Sequence, residues 1–172
     1  DGGTKAEELA GVFTLETVPH SDTGKILNRI EDYGWGKGLS HIYETFLLLM
    51  QDLDGQARRG KNIVMICHDC ISEVPNPVGE NWIRYEPHLQ SPKSGKNSIR
   101  NRVVQWAAHV LFLGYDVVAN KQGKGTGGGT RTIWTQELPS HIAKTHGAFN
   151  ATDEVPLALP FEKGDGTIWN LI

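Results

Sequence analysis

Lys61-Asn62-Ile63-Val64-Met65-Ile66-Cys67-His68-Asp69-Cys70 is the stretch on which the reading of the fold turns. Residues 63–67 form an unbroken apolar run, rich in β-branched side chains, bounded by Gly60 and by His68 and Asp69. Such a run reads as a strand buried on both faces. Upstream, Leu39, Ile42, Tyr43, Phe46, Leu47, Met50 and Leu53 recur at helical spacing, which predicts a helix over 39–59. Leu47, Leu48 and Leu49 are consecutive, so this helix is expected to be buried on more than one side. A helix feeding a fully buried strand is half of a parallel α/β unit. In open parallel sheets ligands gather beyond the carboxyl ends of the strands, which singles out His68 and Asp69.

Outward from that stretch, residues 5–18 carry a helical pattern, with Thr4 as N-cap and Glu7 in capping-box register. Residues 19–38 read as polar loop with a short helical piece around 26–30. They end in Tyr33-Gly34-Trp35-Gly36-Lys37-Gly38, whose glycines permit positive φ and close backbone approach. After the apolar run comes a polar loop with Pro75 and Pro77, then an alternating strand over 81–88. A basic loop at 92–97 leads to a helix over 98–109. Residues 110–119 and 131–137 read as two strands of a long hairpin, joined by a Gly-rich, basic tip at 121–130. A short helix or turn at 139–146 and a last strand at 167–171 complete the expected elements.

At 172 residues the chain is long enough for one domain, residues 1–172, with a real core. A hydrophobic content of 38% with 22% charged residues is ordinary for a soluble protein. No apolar run is long enough to span a bilayer, and the start lacks the layout of a signal peptide; no membrane partner and a cytoplasmic location are therefore expected. The two cysteines, both in one Cys-x-x-Cys, make no disulfide framework. The net charge of -3 hides an asymmetry. Between Pro87 and Gln136 the single acid Asp116 faces Lys93, Lys96, Arg100, Arg102, Lys121, Lys124 and Arg131. That bias predicts an anionic partner such as nucleic acid or phosphate, unless these side chains simply line solvated faces.

A Walker A phosphate loop needs Gly, four residues, then Gly-Lys-Ser/Thr. Gly24-Lys25, Gly36-Lys37, Gly95-Lys96 and Gly123-Lys124 all lack the hydroxyl residue and the upstream glycine, and Gly60-Lys61 is followed by Asn62, so the chain has no Walker A loop. Cys67 and Cys70 have no second ligand pair of zinc-site spacing, and Cys67 reads as a buried strand residue. His68 and Asp69 at a strand end suit the sensing of a phosphate or the orienting of a water, the plainer alternative being a histidine satisfied by backbone. Asp1, followed by Gly2 and Gly3 and a helix, has the layout of a Mg²⁺-holding aspartate only if a strand precedes it. Lys144 by itself is an exposed lysine.

Taken in order, Asp1-Gly2-Gly3-Thr4, the 30–38 segment, Gly60 to His68, Tyr85-Glu86-Pro87-His88-Leu89 and Ala143-Lys144 resemble phage-borne RecA-like P-loop ATPases of the single-strand-annealing recombinase group. The resemblance implies an α/β, RecA-like three-layer sandwich with a mainly parallel sheet and a C-terminal β-hairpin. It implies ATP and Mg²⁺ as cofactors, Asp1 as the Walker B aspartate holding Mg²⁺, His68 as a γ-phosphate sensor, and Lys144 reaching a neighbouring subunit's nucleotide. Single-stranded DNA and a homo-oligomeric ring or filament are the implied partners, in a phage-encoded protein of the bacterial cytoplasm acting in recombination or annealing. The implied ATPase activity requires the N-terminal Walker A half, which this sequence lacks, and a fragment of a longer chain is the expectation. The reading from a different class is a non-catalytic nucleic-acid-binding or assembly module.

Overall fold

The computed structural model describes residues 2–119, 125–146, 157–162 and 164–167. They divide into two compact units, Asp1–Cys70 with Pro87–Val104, and Ile71–Glu86 with Gln105–Ile172.

The first unit is helical. Helix α1 spans Gly3–Thr17 and α2 spans Lys37–Ala57; a 3₁₀ turn at Ile30–Tyr33 lies between them, and α3 begins at Ile99 and runs Ile99–Trp106. Helices α1 and α2 pack together, burying Ala10 and Thr14 on one side and Phe46 and Met50 on the other. The hydroxyls of Thr14 and Thr45 satisfy each other at 2.9 Å within this joint. Tyr33 is buried, and its hydroxyl donates to the carbonyls of Val18 and Thr14, which pins the 3₁₀ turn to the end of α1. Gly38 is fixed by close approach: a Cβ there would lie 2.3 Å from the Ile30 carbonyl oxygen, so only glycine lets α2 start against the turn.

The second unit is built from short strands. Strands β1 (Asp69–Val74) and β2 (Trp82–Pro87), which carry the chain out of the first unit and back, pair with each other. Strand β3 (His109–Val110) pairs antiparallel with β6 (Lys144–Thr145). Strands β4 (Phe112–Ala119), β5 (Gly125–Trp134) and β7 (Ala158–Phe161) form a sheet in the order β4-β5-β7, antiparallel throughout, with a register shift between Tyr115 and Val117. Pro160 sits in β7, an edge strand, where a missing N–H costs no ladder bond.

The mainly parallel, RecA-like three-layer sandwich is therefore corrected to small, mostly antiparallel sheets, with α1, α2 and most of α3 in the other compact unit. Among the described residues the run 63–67 belongs to no strand. Its burial alternates, leaving Val64 62% and Ile66 72% exposed, and the Ile66 carbonyl accepts from the Gly3 N–H of α1 rather than from a neighbouring strand. An unbroken apolar run does not encode what covers it. Here one face meets a helix, and the strand proper starts at Asp69, in a segment read as loop. The hairpin of β4 and β5 does form, and β5 reaches into the glycine-rich tip as far as Gly125. Strand β7 arises from a proline-containing segment not read as a strand, whereas most of the expected strand 167–171 lies outside the described residues. Among the described residues no helix is long and apolar enough to cross a membrane.

The core of the second unit contains a histidine. His141 is 2% exposed and stacks on Phe112 at 4.8 Å, with Tyr85 also stacked on Phe112 at 5.4 Å and Trp134 tilted against the imidazole. Its Nδ1 meets the Ser140 hydroxyl at 3.1 Å and its Nε2 has no hydrogen-bond partner among the described residues. Burial holds its pKa below the ordinary histidine value, against the upward pull of the Gln136 backbone and the Glu137 carboxylate. His109 is shifted the same way by burial, then by His146 and Lys144. The unfolded chain protonates these rings near their ordinary value of about 6.5 while the folded chain resists, so stability is full above that pH and falls as pH drops through it. The thermal midpoint is expected to be level above about pH 7 and to decline towards about pH 5.5. His141→Phe should flatten part of that decline. A wild-type midpoint that holds level through the same range removes the imidazoles as its cause.

Candidate nucleic-acid interface

At the amino end of α1 the chain closes a ring of three hydrogen bonds. The Thr4 hydroxyl donates to the His88 carbonyl, the His88 N–H donates to the His68 carbonyl at 2.7 Å, and the His68 N–H donates to Thr4 Oγ1 at 3.1 Å. Thr4 is thus not the cap of its helix; the N-cap is Gly2, with no side-chain cap. Glycine is required there, since a Cβ on Gly2 would fall 1.7 Å from the Ile66 carbonyl oxygen and one on Gly3 would fall 2.8 Å from Cys67 Sγ. The expected capping box does not form because Glu7 turns the other way and accepts from the Gln90 N–H at 2.6 Å. Burial raises the Glu7 pKa, partly offset by the Gln90 hydrogen bond and by the charges of His88 and Arg100.

His68 therefore stands at this end of the chain with its backbone fully engaged and its residue exposed. Cys67, the preceding residue, has its thiol pKa pushed up by burial, and neither cysteine is in a disulfide. Among the described residues no group of three His, Cys, Asp or Glu could hold a metal ion. Asp1, on which the Mg²⁺ expectation rests, lies outside the described residues. Glu7, a carboxylate of α1, already accepts a backbone hydrogen bond from Gln90.

The basic segment splits into two kinds of residue. Arg100 is half-buried, and its Nη2 donates to the Leu89 carbonyl at 3.2 Å and to Cys70 Sγ at 3.3 Å. It is a structural residue that ties α3 to the 87–90 segment. Lys93, Lys96 and Arg102 are exposed, and among the described residues no carboxylate pairs with them. Loop 92–97 is held rather than loose. Asn97 Nδ2 donates to the Ser40 hydroxyl at 2.8 Å, and Gln90 Nε2 donates to the carbonyls of both Leu39 and Asn97 at 3.0 Å. Asn97 itself adopts φ 55 to close the loop, a conformation asparagine tolerates. These bonds tie the loop that carries Lys93 and Lys96 to the first turn of α2 through Asn97 and Gln90, and Lys37 lies one turn before Ser40 on the same helical face. Sequence reasoning found the lysines but missed the joint, because Gln90 and Asn97 meet α2 some fifty residues away in the chain. It also passed over Trp35, which is 102% exposed in the turn before Lys37.

The remaining expected residues belong to the other unit. Arg131 is exposed on β5 with its guanidinium 5.5 Å from the centre of the Tyr115 ring, its cross-strand partner. Lys144 is half-buried in β6, with Nζ 3.5 Å from the Gln105 carbonyl. Lys121 and Lys124 lie outside the described residues. A cavity of about 180 Å³ beside β7 is lined mainly by Leu113, Ile133, Leu159 and Phe161. Its one acid, Asp165, is engaged by the Thr167 hydroxyl and N–H, which lower its pKa. Compared with protein-family models, curated proteins and solved structures, the chain matches none of them.

Proposed function

We propose that the chain is a non-catalytic module that binds single-stranded DNA, in the setting of recombination or annealing that its sequence resemblance implies. The observation that carries this reading is the hydrogen-bonded joint of loop 92–97, which bears the exposed Lys93 and Lys96, with the first turn of α2, which bears the exposed Lys37; among the described residues no carboxylate pairs with any of the three. A loop-borne cluster suits a flexible strand. A duplex groove is commonly read by a helix presenting several basic side chains, and α3 turns Arg100 inward. A second reading adds a nucleotide at the amino end of α1, supported by the convergence of Thr4, His68 and His88 there.

Fluorescence anisotropy of a labelled oligothymidylate of about 16 nucleotides tests the reading. The logarithm of the affinity is expected to fall linearly with the logarithm of salt concentration. Each neutralised phosphate contributes a slope of about -0.7, so three lysines give roughly -2. No binding at low salt sinks the proposal. Adding Mg²⁺ and ATP to the same titration decides the second reading: a shifted affinity supports it, and an unchanged one removes it.

A further inference from the structure

We infer that Trp35 is a base-stacking residue, on which an unpaired base of the bound strand lies while Lys37, Lys93 and Lys96 hold the flanking phosphates. The inference rests on the single-stranded-DNA reading and names its specificity element. Three observations carry it.

First, the indole is wholly in water, at 102% of its reference exposure. Tryptophan is among the most buried side chains on average, and leaving one uncovered forgoes the largest apolar burial any residue offers. Second, the backbone that presents it is unusual and held. Trp35 has φ 48 between Gly34 at φ 70 and Gly36 at φ 74, three successive residues at positive φ. Glycine adopts that region without penalty, but a bulky side chain does not, and such conformations persist where the surroundings impose them. The surroundings here are specific. The Gly34 N–H donates to Glu31, the Lys37 N–H donates to Gly34, Tyr33 is anchored through its hydroxyl, and Gly38 abuts Ile30. The turn is clamped on both sides of the one residue it exposes. Third, the charge around it suits a polyanion. The two acids of the 3₁₀ turn, Glu31 and Asp32, are outnumbered by Arg29, Lys37, Lys93 and Lys96, and Arg29 is paired with Glu31 at 3.6 Å. The ties from Asn97 to Ser40 and from Gln90 to Leu39 hold loop 92–97, which carries these two lysines, to the helix turn that follows Trp35.

An exposed aromatic ring beside lysines is the pairing that single-strand binders use. The ring takes the face of any base, so contact is tolerant of sequence, while the cations take the phosphates. Duplex DNA keeps its base faces stacked internally and cannot use the indole.

The test compares wild type, Trp35→Ala and Trp35→Phe on oligothymidylate and on an abasic oligonucleotide of equal length. Trp35→Ala is expected to weaken binding to oligothymidylate by about 5- to 150-fold, the usual span for loss of one stacked base, with an unchanged salt slope because no phosphate contact is removed. Trp35→Phe should recover much of the loss. On the abasic strand the three proteins should bind alike. An unchanged thermal midpoint confirms that Trp35→Ala is folded. If wild type binds oligothymidylate and Trp35→Ala binds it equally well, stacking is wrong and the single-strand reading survives. If wild type binds neither strand, both fall. If Trp35→Ala weakens binding to the abasic strand as much, the indole acts on backbone or fold and the stacking role is overturned. If Trp35→Ala leaves DNA binding intact but abolishes self-association, the ring is a protein contact instead.

Discussion

Replacing Lys93 and Lys96 together by glutamine is expected to reduce the salt slope of single-strand binding by about 1.4 and to weaken binding at roughly 0.1 M salt by about tenfold or more. The size follows from counterion release: each lysine that neutralises a phosphate of a single strand contributes about -0.7 to the slope. Both side chains are exposed, so their removal costs the fold little and the effect falls on binding. Arg100→Gln is the informative contrast. Its guanidinium is spent on the Leu89 carbonyl and on Cys70 Sγ, so the variant should lower stability while leaving the slope of the folded protein nearly unchanged. A slope that drops for Arg100→Gln but not for the lysine pair would reverse these assignments and remove loop 92–97 from the interface. Measuring the slope rather than one affinity matters, because a partly unfolded variant loses apparent affinity at every salt concentration without losing a phosphate contact.

Phe46→Ala is expected to be the most destabilising single truncation in the helical unit, at about 3–5 kcal/mol. Phe46 is 1% exposed and sits on α2 in the joint with α1, in the same layer as Met50 and the buried Thr14. Emptying that position removes the ring's burial and leaves a cavity that two helices joined at Thr14 and Thr45 cannot readily close. Since domains are stable by only about 5–15 kcal/mol, the loss takes a large share of the total. Urea unfolding followed by the helical circular-dichroism signal checks it: the midpoint should fall with the slope against urea kept. A midpoint within about 1 kcal/mol of wild type would mean that the helix joint tolerates the cavity and that the unit's stability lies elsewhere, for instance at Ile99, which is 0% exposed.

Both variants act on features that differ in how they could be read beforehand. Phe46 was visible as an inward position of a periodic helix, because helical spacing is a local property of the chain. The three helices were expected at 5–18, 39–59 and 98–109 and stand at Gly3–Thr17, Lys37–Ala57 and Ile99–Trp106. The β4–β5 hairpin was legible for the same reason, two β-rich runs around a glycine-rich tip. The loop lysines were legible as charge, and the glycines of 34–38 as freedom of φ.

What local pattern could not supply was the partner of each segment. The run 63–67 looks the same whether a sheet covers both faces or a helix covers one, and only the Gly3–Ile66 contact and the exposed Val64 and Ile66 separate the two. Sheet direction is a relation between distant segments, so the antiparallel pairing of β3 with β6 and of β5 with β7 had no signature within either strand. Charge likewise does not say which way a side chain points. Arg100 and Arg102 are two residues apart on one helix, yet one is tied to Leu89 and Cys70 while the other is exposed. The amino-acid sequence by itself determined where the helices lie, which two runs pair as a hairpin and where positive charge is concentrated. The tertiary structure alone decided which cations are exposed, left the Trp35 indole bare and tied loop 92–97 to α2, because long-range hydrogen bonds such as Gln90 to Leu39 and Asn97 to Ser40 are made between groups whose neighbours in sequence give no hint of each other.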